Sequence, residues 1–422
     1  MRPIRVLMFG WEFPPFISGG LGTACYGIVQ GLLKNNINVT FVVPSMKGLK
    51  SNNICKVIDA NEISISDYEL KKRLLAQNIF IRNISPYIIN LPKRFSINEE
   101  QLEFFRSSGI LAFTGNYGEN LMREVFYYSI IGRRLGENKD FDIIHCHDWL
   151  SYPAGIAAKQ VSGKPLVVHI HATEFDRNGE NINHDVYNIE KEGFEKADKI
   201  IAVSYYTKNI LINRYGIFPD KIKVVHNAVS KETHIQRFGI KKPLKEKIVL
   251  FLGRVTMQKG PEYFIQAASL VLKKMKNVRF VMAGSGDMLT RMISYQAFLK
   301  MSRNFHFTGF LQDVDVERMY TMSDLFVMPS VSEPFGIAAF EALLFDVPVI
   351  ISKQSGVSEV LPEAVTVDFW DVYKLADTIV DLLKHEKKAK SVALACKKRL
   401  ENICWELVGQ KLSMIYSELI GG

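Results

Sequence analysis

Residues 247–270 read KIVLFLGRVTMQKGPEYFIQAASL. KIVLFLG is a short, β-branched apolar run of the kind a strand needs when both sheet faces are covered. GRVTMQKG breaks it with two cations, Arg254 and Lys259. KGPEYFIQAASL then starts a helix, with Pro261 near the first position, where its missing N–H costs nothing. Strand, loop and helix in that order make the unit of a doubly wound sheet, whose ligands sit where loops leave the strand C-termini.

The unit recurs on both sides of this stretch. IRVLMFG, NVTFVVP, FDIIHCH, PLVVHIH, KIIAVS and IKVVHN read as buried parallel strands before it, and VRFVMAG, NFHFTG, LFVMPS and VPVIIS after it. Between the two series lies SKETHIQRFGIKKPLKEK, polar, charged and without apolar periodicity. The expectation is an α/β protein of two Rossmann-like, doubly wound domains facing across a cleft. Residues 50–120 fit this alternation poorly and read as an insertion.

Bulk composition agrees with that class. The chain has 422 residues, 47% hydrophobic and 23% charged, which is ample for two sizeable cores. Its net charge of +9 favours anionic partners such as nucleotides, membrane surfaces or nucleic acid. Nucleic acid has only net charge behind it, with no recognisable motif, and is not expected. Five scattered cysteines without a CxxC pair fit a reducing compartment and argue against a disulfide framework or a structural zinc site. No apolar run reaches transmembrane length, and Glu12 with two prolines interrupts the N-terminal apolar stretch. A cytoplasmic protein is expected, with peripheral membrane contact possible but not favoured.

The residues that carry chemistry follow strands. WEFPPFISGGLGTACYG, residues 11–27, is stiff at Pro14 and Pro15 and bare of side chains at Gly19, Gly20 and Gly22. Such a loop either binds phosphate on its N–H groups or simply turns. Arg254 and Lys259 flank a helix start and suit a diphosphate, or are plain loop cations. In SEPFGIAAFEALLFDVPVI, Glu333 precedes Pro334 and Gly336 at a helix start, and Glu341 lies among apolar neighbours. A carboxylate there needs ribose or sugar hydroxyls, a lysine, or exposure.

HCHDW and VHIHATEFDR each place two histidines on one face of a strand. Metal binding would need three or four ligands converging from both strands, so no metal site is expected. The remaining readings are core histidines or polar groups at a cleft edge, and Asp148 with Trp149 favours the cleft because a carboxylate beside an indole suits a sugar. In DVDVE, Asp313 and Asp315 read as a helix start rather than a metal site. A nicotinamide site is disfavoured, because the third glycine of GxGxxG and the ribose-binding acid are both missing.

Taken together and in order, these elements resemble the retaining GT-B glycosyltransferases of family 4, with features of the glycogen and starch synthases. GRVTMQKG is similar to the family's GR-x(4)-KG element and EPFGIAAFE to its E-x(7)-E element, and AGSGD, FTGFL, SDLFVMPS and GVSEVL follow the family order. The resemblance implies a metal-independent transfer from a nucleoside-diphosphate sugar, with no cofactor. Gly19 and Gly20 would meet the diphosphate, Arg254 and Lys259 the leaving group, Glu333 and Gly336 the donor sugar, and Glu341 the ribose. His171 would stand near the reacting carbon, with Glu12, Asp148 and Trp149 on the acceptor side.

Ser18 stands where the synthases carry lysine, which favours a UDP- over an ADP-sugar, and Asp346 stands where the family usually has glycine. The implied activity is α-glucan extension from a nucleotide-glucose. The alternatives are an envelope-directed peripheral enzyme, to which the basic LPKRF and ELKKRLL would contribute, and a non-catalytic sugar-binding module. The expected division is an acceptor-side domain over 1–235, a linker at 236–245, a donor domain over 246–400, and a helix at 401–422 packing back on the first domain.

Overall fold

The computed structural model describes residues 2–15, 19–48, 54–65, 111–229, 245–312 and 314–421. Most of the expected insertion, most of the linker, Ser18, Asp313, LPKRF and ELKKRLL lie outside the described residues. Two all-parallel sheets carry the fold. The first contains β1 (Arg5–Phe9), β2 (Asn38–Val43), β3 (Lys56–Asp59), β4 (Ile143–His147), β5 (Leu166–Ile170), β6 (Lys199–Ala202) and β7 (Ile222–Val224), in the spatial order β3-β2-β1-β4-β5-β6-β7. The second contains β8 (Lys247–Leu252), β9 (Val278–Ala283), β10 (Phe305–Gly309), β11 (Leu325–Met328), β12 (Val349–Ser352) and β13 (Val365–Val367), ordered β10-β9-β8-β11-β12-β13.

Both orders reverse direction once, between β1 and β4 in the first sheet and between β8 and β11 in the second. At such a switch the two outgoing loops diverge and leave a crevice beyond the strand C-termini, where doubly wound folds bind ligands. The loops in question are those following Phe9, His147, Leu252 and Met328. Every candidate site residue lies on one of them, on the loop after β5, or on the helix that follows β11.

Each sheet is covered on both faces. Along β4, Ile144 and Cys146 join one core with Val168 and Ile170 of β5, while Ile143 and Val167 join another on the opposite face. That alternation sends His145 and His147 to the second face. The same face is covered by the helices Gly20–Lys34 and Trp405–Gly421, which cross at glycines: a Cβ on Gly31 would lie 1.9 Å from the Trp405 carbonyl oxygen, and one on Gly409 2.1 Å from that of Gly31. The last helix of the chain therefore completes the core of the first sheet.

Asp346 has φ +62°, the left-handed region in which a glycine is at ease, and Lys397 pairs with its carboxylate. Asp315 lies in the first turn of the helix Val314–Met322 and pairs with Arg318. All five cysteines are free. Among the described residues, no helix is long and apolar enough to cross a membrane.

Candidate active site

The loop after β8 is held against the loop after β11 by main-chain hydrogen bonds. The carbonyl of Gln258 accepts the N–H groups of Val331 (2.9 Å) and Ser332 (3.4 Å). Gly260, at φ +65°, has no room for a side chain, since a Cβ would lie 2.1 Å from the Pro329 carbonyl oxygen. This close approach brings Lys259 Nζ to 2.5 Å from Glu333 Oε2. Glu333 is buried, and its carboxylate also accepts from Ser330 Oγ at 3.2 Å. Arg254 is exposed and donates to Gln258 Oε1 at 3.2 Å. A half-buried lysine paired with a buried carboxylate, beside an exposed guanidinium, leaves the loop one cation ready for an anion.

Two helix starts add to that field. Gly19 precedes the helix Gly20–Lys34, and neither it nor Gly20 would meet an atom within 4 Å if given a Cβ. Gly336, at φ +108°, precedes the helix Ile337–Leu344. Neither helix has an acid in its first turn or a side-chain cap, so their first N–H groups are available to an anion. Glu341, partly buried on the second helix, accepts from the phenol of Tyr320 at 3.0 Å, and its burial raises the carboxyl pKa. Tyrosine thus takes the place that sequence reading left open to a lysine.

On the first domain the organiser is Asp148. It is buried, sits at φ +57°, and accepts the His171 backbone N–H at 2.6 Å. His171 Nε2 lies 3.0 Å from His147 Nδ1. Burial lowers the His171 pKa, so the ring is neutral at neutral pH. Trp149 is 7% exposed and packs in the core behind β4, so it shows little of its indole to the cleft. Glu12 is buried and accepts the hydroxyl of Tyr117, a ring that is 52% exposed.

Residues from the two domains meet around these groups. Ser332 Oγ donates to the buried Asp176 and lies 3.0 Å from the Tyr206 hydroxyl. Glu359 accepts the N–H groups of Tyr205 (2.9 Å) and Tyr206 (2.7 Å), capping the helix Tyr205–Tyr215, and lies 2.8 Å from His226 Nε2. Asp176 closes a capping box with Thr173, and Arg177 is fixed by Glu190 at 2.9 Å and by the Ala172 carbonyl at 2.6 Å. The segment carrying His171 is thereby clamped to the loop carrying Glu333.

Sequence reading missed Tyr117, Asp176, Arg177, Tyr320, Ser332 and Glu359. The T-x-x-D spacing of Thr173 and Asp176 was a legible signal for one of them. The others depend on the approach of distant segments. Lys259 and Glu333 are brought together, and His171 and Asp148 are brought together, whereas Trp149 packs in the core behind β4.

Comparison with known proteins agrees with this geometry. Residues 104–233 match the family described as Glycosyltransferase Family 4, and residues 232–399 match Glycosyl transferases group 1. An uncharacterized glycosyltransferase of Methanocaldococcus jannaschii is 29% identical over 89% of this chain and 87% of its own length. A glycogen synthase of Mycobacterium tuberculosis is 23% identical over 98% of this chain and 94% of its own. Among solved structures, sucrose-phosphate synthase from Thermosynechococcus elongatus superposes with a TM-score of 0.71 at 17% identity, covering 99% of both chains. Anabaena HepE in complex with UDP and glucose superposes with a TM-score of 0.67 at 15% identity, over 98% of this chain and all of its own.

Proposed function

Because this chain is a glycosyltransferase of the family 4 type built on the GT-B fold, we propose that it transfers a glucosyl unit from a nucleoside-diphosphate glucose to an α-glucan, with retention and without a divalent metal in the reaction. The observation that carries the reading is the Lys259–Glu333 pair beside the exposed Arg254, at the β8/β11 switch. Arg254, Lys259 and the N–H groups following Gly19 receive the diphosphate. Glu333, released from Lys259 as the lysine turns to phosphate, accepts from the sugar hydroxyls, and Glu341, steadied by Tyr320, accepts from the ribose.

Charge builds on the leaving phosphate and on the anomeric carbon as their bond breaks. Fixed cations and helix N–H groups stabilise the first, and oriented hydroxyl contacts place the second. The acceptor oxygen bonds to that carbon on the face the phosphate leaves. Its proton passes to the departing phosphate, so no protein nucleophile is required. The neutral His171 ring, positioned through its main chain by Asp148, contacts the reacting sugar. Glu12 and the half-exposed Tyr117 supply the acceptor side with a carboxylate and an aromatic face.

Support from relatives is of the same grain: a glycogen synthase aligns over nearly the whole chain, and the HepE structure holds UDP and glucose. The deciding experiment is a matrix of UDP- and ADP-sugars against maltooligosaccharides, glycogen and inositol phosphate. The last belongs there because relatives described as D-inositol 3-phosphate glycosyltransferases are 24–26% identical to this chain. Nucleoside diphosphate release with a glucan, in metal-free buffer and giving an α-linked product by NMR, is the expected result. Release only with inositol phosphate, or only on anionic vesicles, replaces the glucan reading.

A further inference from the structure

His145, His147, His169 and His171 stand side by side on one face of β4 and β5, between the sheet and its two covering helices. Ring centroids of His145 and His147 are 4.6 Å apart, those of His147 and His169 5.3 Å, and those of His169 and His171 4.5 Å. The first three are fully buried. The pairing of β4 with β5 sets His147 directly beside His169, so histidines from two strands converge as the spacing alone did not suggest.

Four ring nitrogens in this cluster have no hydrogen-bond partner among the described residues: Nε2 of His145, Nε2 of His147 and both nitrogens of His169. Each buried polar atom left unpaired costs about 1–3 kcal/mol. The partners that do exist are informative. The Tyr416 hydroxyl sits on Nδ1 of His145, and His171 Nε2 sits on Nδ1 of His147. Hydrogen bonds of this kind hold a ligating histidine by one nitrogen and leave the other for a metal. One ring nitrogen from each of His145, His147 and His169 lies within 4.8 Å of the other two.

We propose that His145, His147 and His169 form a buried, structural three-nitrogen site for a borderline transition metal ion of the zinc class. The set contains imidazoles and no carboxylate, which suits zinc, copper, nickel or cobalt and not calcium or magnesium. The ion ties two strands to the C-terminal helix through Tyr416 and takes no part in the transfer chemistry at Lys259 and Glu333. A second possible group, Cys25 with His147 and His171, shares His147 and competes with the first.

The test is elemental analysis of untagged protein grown with added zinc, followed by X-ray absorption of the zinc edge. About one zinc per chain in a shell of nitrogen and oxygen scatterers is expected, retained in Cys25→Ser, lost in His169→Gln, and raising the thermal midpoint when restored to the metal-free protein. Sulfur in the shell places the ion at Cys25 and overturns the assignment. Wild-type protein without stoichiometric metal also overturns it and means that water satisfies the cluster. Both of these readings come from wild-type protein and hold even if the variant does not fold.

Discussion

Lys259 and Glu333, to which the family resemblance gives different parts of a donor, are bonded to each other at 2.5 Å. The pair keeps a buried carboxylate neutralised until a phosphate arrives. Lys259→Ala removes both the phosphate contact and that neutralisation, whereas Arg254→Ala removes only a contact. Each is expected to lower turnover by about two to three orders of magnitude. Only Lys259→Ala should also destabilise the donor-free protein, by up to about 3 kcal/mol. Steady-state kinetics and denaturant unfolding of the two variants check this; equal stability would mean that the pair contributes nothing to the fold.

Tyr320 donates to Glu341, the carboxylate proposed for the ribose, at 3.0 Å. Tyr320→Phe keeps the ring that packs in the core and removes only the hydroxyl, so a cost of about 1 kcal/mol to stability is expected. Donor affinity, read by calorimetry with the nucleoside diphosphate, should fall several-fold, and more in Glu341→Gln. Unchanged affinity in both would remove Glu341 from the nucleotide site.

His171→Ala is expected to suppress transfer far more than donor binding. Asp148→Asn should produce a milder version of the same phenotype, because it weakens the charge-assisted hydrogen bond to the His171 N–H. Parallel loss of donor affinity, measured by titration, would make His171 a binding residue only.

Glu359 gives a pH signature. Burial pushes its carboxyl up, but the His226 hydrogen bond and the N–H groups of Tyr205 and Tyr206 outweigh burial and hold the pKa below its ordinary value. A lowered folded-state pKa adds stability above the ordinary glutamate value, and that stability is lost as pH falls through the folded-state value. Wild-type protein should therefore be more stable than Glu359→Gln at neutral pH, with the difference vanishing in acid. Thermal midpoints across pH measure it, and a constant difference would contradict the assignment.

The strands were legible because each carries a run of apolar, β-branched residues between turn signals. The two missed strands, β3 and β13, are edge strands of four and three residues with half-exposed side chains, so no run forms. Arg254, Lys259 and Glu333 stood out in the sequence because each follows a strand next to a glycine or proline, and Glu341 because it lies among apolar neighbours. The packing of Trp149 in the core was not legible, because HCHDW fixes the order of residues along the strand end and not the side to which the next indole turns. Ser332 and Glu359 were invisible for another reason. Their partners lie more than a hundred residues away in sequence, and only the docking of two sheets reveals them.

The helix crossing at Gly31 and Gly409 has a consequence for synthesis. Val6, Met8, Val29 and Phe41 are made long before the cover for their core, from Trp405 to Tyr416. The second sheet can close as soon as its own strands are made, while the first waits with an apolar face bare to solvent. Domain-by-domain folding in the order of synthesis, usual for a growing chain, is thus blocked for the earlier of the two domains. Its final packing waits until the segment from Trp405 to Tyr416 has been made, and until then the growing chain presents chaperones with that face.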